Sequence, residues 1–170
     1  MQQAIQTVIE LDSVITNLRM VTGSSKSETA DLVKGYTGMG EELRVTTLDI
    51  AKSANEWLRQ GYTLEETNQL IRASMILSKV GMIESGEATK YLTSALKGYK
   101  LSAEDAISIV DKLSTVDMEA ATSAGGLALA MSRTAASADL SGVSMDKLLG
   151  YIAVVAETTQ KAEESVGESF

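Results

Sequence analysis

Apolar residues recur along this chain at spacings of three and four, and glycine–hydroxyl pairs interrupt the rhythm at intervals. Ala4, Val8, Leu11, Ile15 and Leu18 follow one another at 4, 3, 4 and 3 residues. That spacing predicts an amphipathic first helix over residues 4–21 with a short heptad seam, docked on the fold or paired with a second copy. Ser25 with Glu28 reads as a capping box for a second helix that carries Leu32, Val33 and Tyr36 on one face. Gly35, Gly38 and Gly40 then crowd its end. Each glycine costs about 1 kcal/mol relative to Ala inside a helix, so residues 35–42 are expected to form a frayed end or hinge.

A third helix starts near Thr46, with Asp49 three residues on and a stripe of Ile50, Ala51, Ala54, Trp57 and Leu58. The fourth, Leu64 to Val80, is apolar nearly all round and is expected at the centre of the core. Ala88, Tyr91, Leu92, Ala95, Leu96 and Tyr99 mark a fifth helix, and Ala103, Ala106, Ile107, Val110 and Leu113 a sixth. From about Met118 to Ala138 a small-residue face of Ala121, Ala124, Leu127, Ala128, Met131 and Ala135 predicts close approach by a neighbour, with Gly125 and Gly126 weakening or bending the helix. The last helix carries Met145, Leu148, Leu149, Ile152, Ala153 and Ala156. Its tail, with Glu157, Lys161, Glu163, Glu164 and Glu168, is expected to be solvated. No segment of any length alternates with the period of two that a strand requires.

Three junctions share one phrase. Gly61-Tyr62-Thr63-Leu64-Glu65-Glu66, Gly98-Tyr99-Lys100-Leu101-Ser102 and Gly142-Val143-Ser144-Met145-Asp146 each end one periodic segment and open the next. Glycine accepts the left-handed conformation just past a helix end. Thr63, Ser102 and Ser144 are then placed to cap the following helix, with Glu66 and Asp105 three residues behind two of them and Val143 facing Leu148 as a hydrophobic staple. The glycines lie 37 and 44 residues apart, room for two helices each. The reading is therefore all-α: seven or eight amphipathic helices packed as antiparallel pairs. A leading helical segment with a glycine-rich connection is expected over 1–45, and a core domain with a helix-pair repeat over 46–170.

Composition narrows the chemistry. The 170 residues contain no histidine, cysteine or proline. Without histidine there is no Ser-His-Asp triad and no common transition-metal ligand, and without cysteine there is no thiolate or disulfide. A net charge of −8 and only one Trp, five Tyr and one Phe argue against nucleic-acid binding. No apolar run approaches a membrane span. Met1-Gln2-Gln3 has no signal-peptide pattern and leads almost at once into helical periodicity, so we expect a chain cut from a longer protein.

Candidate motifs reduce to structural roles. Gly35-Tyr36-Thr37-Gly38-Met39-Gly40 has neither the order of a dinucleotide fingerprint nor the Gly-Lys-Ser/Thr ending of a phosphate loop. The carboxylate pairs Glu65/Glu66 and Glu104/Asp105 fit first-turn capping better than acid–base catalysis. Ser94 with Lys97 and Ser144 with Lys147 match an acyl-enzyme spacing without any companion motif. Trp57 and most of the eight methionines read as core rather than as partner anchors. We expect no catalytic, cofactor-binding or metal-binding residues and no enzyme activity. A polar pocket near Glu84 or Asp111 would reopen that question.

From about Thr46 to Ala156 the order of pieces resembles the conserved core region of phage tail tape measure proteins. The resemblance runs from Thr46-Thr47-Leu48-Asp49-Ile50-Ala51 to Gly61-Tyr62-Thr63-Leu64-Glu65-Glu66 and, past an apolar helix, to Ser85-Gly86-Glu87-Ala88. It continues through Leu96-Lys97-Gly98-Tyr99-Lys100-Leu101-Ser102-Ala103-Glu104 and the connection Leu113-Ser114-Thr115-Val116-Asp117 to Gly142-Val143-Ser144-Met145-Asp146-Lys147. Met82-Ile83-Glu84 departs from the glycine-rich stretch of the family. The resemblance implies a structural virion protein that occupies the tail tube, helps set tail length and passes through the host cytoplasm during assembly. It also implies tail tube subunits, assembly chaperones and tail-tip proteins as partners. The residues themselves leave a second reading open, an α-solenoid-like helical adaptor, because helix pairs of this period also build such arrays.

Overall fold

The computed structural model describes residues 2–120 and 122–159. They form eight α-helices: α1 (Gln2–Thr22), α2 (Lys26–Leu43), α3 (Thr47–Arg59), α4 (Leu64–Val80), α5 (Ser85–Gly98), α6 (Ala106–Glu119), α7 (Ala124–Leu140) and α8 (Met145–Thr159). A single turn of 3₁₀ helix, Ala103–Asp105, precedes α6. The fold is all-α, with no strand among the described residues. Two compact units divide it, Met1–Met75 and Ile76–Phe170, so the boundary falls within α4.

In the first unit α3 is the hub, packing against both α1 and α2. Its predicted stripe is inward: Ile50, Ala51, Ala54 and Trp57 are fully buried, as are Leu18 of α1 and Leu70, Ile71 and Met75 of α4. Trp57 is a core residue, as expected. Its indole N–H donates to Ser74 Oγ at 3.2 Å, and its ring meets Tyr62 edge-on at 5.4 Å. Lys52 ties α3 to Glu10 of α1 at 2.9 Å, and Arg72 grips Glu42 of α2 with both guanidinium nitrogens at 2.6 and 2.9 Å. These exposed pairs orient helices more than they stabilise them.

In the second unit α7 is the hub, against α5, α6 and α8. Leu127, Ala128, Ala130, Met131, Thr134 and Ala135 are all buried along it. The small residues do admit close neighbours. A Cβ on Gly98 would sit 2.6 Å from Ala135 Cβ, and one on Gly125 would sit 2.5 Å from the Gly81 carbonyl oxygen. Lys100 reaches Asp139 at 2.5 Å, and Lys112 of α6 pairs with Asp146 of α8. Contacts between next-nearest helices, α1 with α3 and α5 with α7, are the most extensive in their units.

Several expectations are corrected. Residues 35–42 are neither frayed nor a hinge, because α2 runs on to Leu43. Gly40 is buried there, and a Cβ on it would lie 2.9 Å from the Val45 carbonyl oxygen. The stretch 113–117 is helix rather than connection, since α6 continues to Glu119. Accordingly α7 begins at Ala124, and Gly125 and Gly126 lie in its first turn instead of bending its middle. The α4 helix is buried at Leu70, Ile71, Ala73, Met75 and Leu77, as a core helix should be, but not all round, since Leu64, Ile76 and Val80 are partly exposed. On α1 the seam is only partly inward. Leu18 is buried and Leu11 and Ile15 half-buried, but Val8 is 67% exposed. The side chains of Ala4 and Ala121, and the tail residues Lys161, Glu163, Glu164 and Glu168, lie outside the described residues.

Candidate functional site

The polar residues that stand out in the sequence converge on the helix junctions. Five junctions use one three-residue device. A residue in the left-handed region ends a helix, an apolar residue follows, and the next residue opens the new helix. The triplets are Arg44-Val45-Thr46, Gly61-Tyr62-Thr63, Met82-Ile83-Glu84, Lys100-Leu101-Ser102 and Gly142-Val143-Ser144, with φ of 52°, 94°, 49°, 55° and 71° at the first position. In each, the middle residue's N–H donates back to the carbonyl five residues earlier. The bonds are Val45 to Gly40 at 2.9 Å, Tyr62 to Trp57 at 3.4 Å, Ile83 to Ser78 at 3.0 Å, Leu101 to Leu96 at 2.8 Å and Val143 to Ala138 at 2.9 Å. This is the Schellman closure, which satisfies carbonyls that a helix end would otherwise leave bare.

The sequence reading found three of these junctions and framed one wrongly. Gly98 is the last residue of α5 and serves close packing on Ala135, while Lys100 takes the left-handed turn. Arg44 and Met82 went unseen because a search for glycine cannot find them. The usable signal lay one residue on, in an apolar residue directly before a capping Thr, Ser or Glu.

The candidate acids are caps. Glu66 accepts the Thr63 backbone N–H at 2.7 Å, and Thr63 Oγ1 accepts the Glu66 N–H at 3.2 Å. That backbone bond, with the Thr63 hydroxyl, holds the Glu66 carboxyl below its ordinary value. Asp105 caps Ser102 likewise at 2.9 Å, and Glu28 caps Ser25 at 2.8 Å. Thr46 with Asp49 completes another box. Ser144 Oγ accepts the Lys147 backbone N–H, the distal end of an N-cap rather than an acyl-enzyme couple. No group of three or more carboxylates is placed to hold a metal among the described residues, nor is any described helix long and apolar enough to cross a membrane.

Asp111 does line a groove of about 320 Å³ between α6 and α8, beside Ser108, Thr115 and the Lys112–Asp146 pair. Asp111 and Asp146 are both exposed, so the groove offers carboxylates facing water and no enclosed reaction chamber. Glu84 is an exposed N-cap without a side-chain capping bond.

The first unit carries a larger groove, about 480 Å³, between α2 and the start of α4. Leu32, Tyr36 and Met39 of α2 face Leu64 and Asn68 across it, with Glu28 and Asp31 at one end. Tyr36 is 2% exposed, and its hydroxyl has no hydrogen-bond partner among the described residues. Burial pushes that hydroxyl up to about 12. The methionines do not all sit in the core: Met75, Met131 and Met145 are buried, but Met20, Met82 and Met118 are exposed.

The sequence matches the family described as phage-related minor tail protein over residues 33–170. No solved structure matches the chain.

Proposed function

The chain belongs to the family of phage-related minor tail proteins, and from that premise we propose that it is a segment of a tail tape measure protein, a structural component that occupies the tail tube and sets tail length. The observation that carries this reading is the repeated junction. A left-handed residue, an apolar residue and a cap turn one amphipathic rod into the next, and nearly all candidate chemistry is spent on those turns. On this reading the role is spacing and surface, with no catalysis. The partners are tail tube subunits, assembly chaperones and tail-tip proteins, met in the host cytoplasm during assembly and then in the virion tail. The exposed α1 residues Ile5, Val8 and Ile9 leave a self-association face available on the first helix.

The test is genetic and morphological. In-frame removal of whole helix pairs from the gene that encodes this segment shortens tails in proportion, measured by electron microscopy. Tails of unchanged length refute the measuring role, and absence of peptides from residues 33–170 in purified tails refutes the virion location. A helical adaptor is the second reading. It draws support from the next-nearest packing of α1 on α3 and α5 on α7, since stacked helix pairs also build binding arrays. An adaptor is missing from finished particles.

A further inference from the structure

We infer that the groove between α2 and the start of α4 is a docking site for a basic amphipathic helix supplied by another protein. The surface lies outside the junctions, and the inference stands apart from the tail-length reading. Glu28, Asp31, Leu32, Gly35, Tyr36 and Met39 line it from α2 at steps of three and four, one continuous helical stripe about 16 Å long. Such a stripe beside a second helix is the geometry into which a third helix lays its apolar face.

Three observations point to an occupant. Gly35 lies inside α2, where glycine costs helix stability, yet beyond its own chain neighbours and the local helix backbone no atom of the described residues comes within 4 Å of where its Cβ would stand. Internal packing does not require that glycine, and its missing side chain leaves room for a partner backbone to approach. Tyr36 lines the same stripe with a buried hydroxyl that nothing among the described residues satisfies. The charge is one-sided: Glu28 and Asp31 end the groove, and no lysine or arginine lines it. Glu28 is held ionised by the Ser25 backbone N–H, and Asp31 has no ion-pair partner among the described residues.

Complementarity therefore asks for apolar residues along the partner and Lys or Arg at one end. A second copy of this chain is a poor fit. It carries a net charge of −8, and the exposed stripe on its own α1, Ile5, Val8 and Ile9, runs into Asp12.

The experiment uses the whole chain, ¹⁵N-labelled, titrated with a Lys/Leu amphipathic peptide of about 18 residues, the length of α2, and with a Glu/Leu peptide of the same apolar face. The Lys/Leu peptide moves the amide resonances of Leu32, Gly35, Tyr36, Met39, Leu64 and Asn68, and the Glu/Leu peptide binds at least about tenfold more weakly. Gly35→Gln fills the open space and lowers affinity at least about tenfold, without lowering the melting temperature. Asp31→Lys weakens binding and flattens its salt dependence. The inference is overturned if the Lys/Leu peptide does not bind or scatters its shifts over the acidic surface. Equal binding of the Glu/Leu peptide, or full affinity in Gly35→Gln, does the same. Movement of these resonances on concentrating the free protein alone assigns the groove to self-association instead.

Discussion

Gly98→Ala isolates the difference between a turn glycine and a packing glycine. In the left-handed role, alanine would be strained by its backbone; in the packing role, by its Cβ. Gly98 is helical, and the added Cβ meets Ala135 Cβ at 2.6 Å and Ala136 N at 2.9 Å. Ordinary carbon–carbon contact needs about 3.5–4.0 Å, so α5 and α7 must part by about 1 Å. Overpacking of this kind costs about 1–3 kcal/mol, and at a helix end little propensity is gained in return. For a protein of 170 residues that is a melting temperature lower by roughly 3–10 °C. Thermal and urea unfolding followed by circular dichroism at the helix band measures it. Gly35→Ala, in open space within α2, is the control and gains up to about 1 kcal/mol. Adding Ala135→Gly to Gly98→Ala recovers part of the loss, seen as a favourable coupling in a double-mutant cycle, and only part because Ala136 N remains close. A Gly98→Ala protein as stable as the parent, or one with no coupling to Ala135→Gly, refutes close packing as the reason for this glycine.

Met82→Gly works in the opposite direction. Met82 holds φ 49° and is 90% exposed, so glycine relieves the backbone at little loss of burial and stabilises by about 0.5–1 kcal/mol in the same unfolding assay. Thr63→Ala removes a capping oxygen and costs about 1 kcal/mol, with α4 exchanging its first-turn amides faster. Tyr36→Phe removes a buried hydroxyl without a partner and raises stability by about 1–3 kcal/mol; a drop would mean that the hydroxyl is satisfied inside the fold. The folded state keeps the Tyr36 proton up to about 12 while the unfolded chain loses it near 10.0. That part of the stability is therefore complete below pH 10, falls as pH rises toward 12, and is absent from the pH profile of Tyr36→Phe, whose remaining tyrosine-linked alkaline loss comes from Tyr99 and Tyr62.

Helix content and the inward stripes were legible because burial on one face imposes a period, and a period survives without knowledge of the partner. Ile50, Ala54 and Trp57 on α3, and Leu127, Ala128, Met131 and Ala135 on α7, lie where that period puts them. The boundaries were less legible where glycine has two meanings. Gly98, Gly125 and Gly40 admit neighbouring atoms rather than a turn, and the need for that space arises only in the packed state. On α1, Val8 is exposed although it keeps the seam's spacing, because α3 and α2 cover only part of that helix. The α2–α4 groove was illegible for a related reason: Glu28 to Met39 reads as an ordinary amphipathic face, and only the packed fold sets Leu64 and Asn68 of α4 across a groove from it.

The junction explains why residue spacings that suggest chemistry recur along this chain as helix caps. A Schellman closure followed at once by an N-cap demands little of the sequence: tolerance of the left-handed region, one apolar residue and one side-chain acceptor. Arg44, Met82 and Lys100 meet the first demand as Gly61 and Gly142 do, so the device repeats without leaving a repeat of identical letters. The second demand places Val45, Tyr62, Ile83, Leu101 and Val143, all half-buried, at the position where a Schellman turn commonly adds a hydrophobic contact. The third draws Thr, Ser, Asp and Glu to a fixed offset, producing the paired carboxylates and the Ser144…Lys147 spacing that elsewhere accompany acid–base or acyl chemistry, whereas Ser94 and Lys97 lie within α5. A capping carboxylate is held ionised by the backbone N–H it accepts, as at Glu66 and Glu28. A general acid needs the reverse, a raised value that keeps its proton near neutral pH. At Glu66 and Glu28 the bond that helps to start the helix therefore works against the general-acid role.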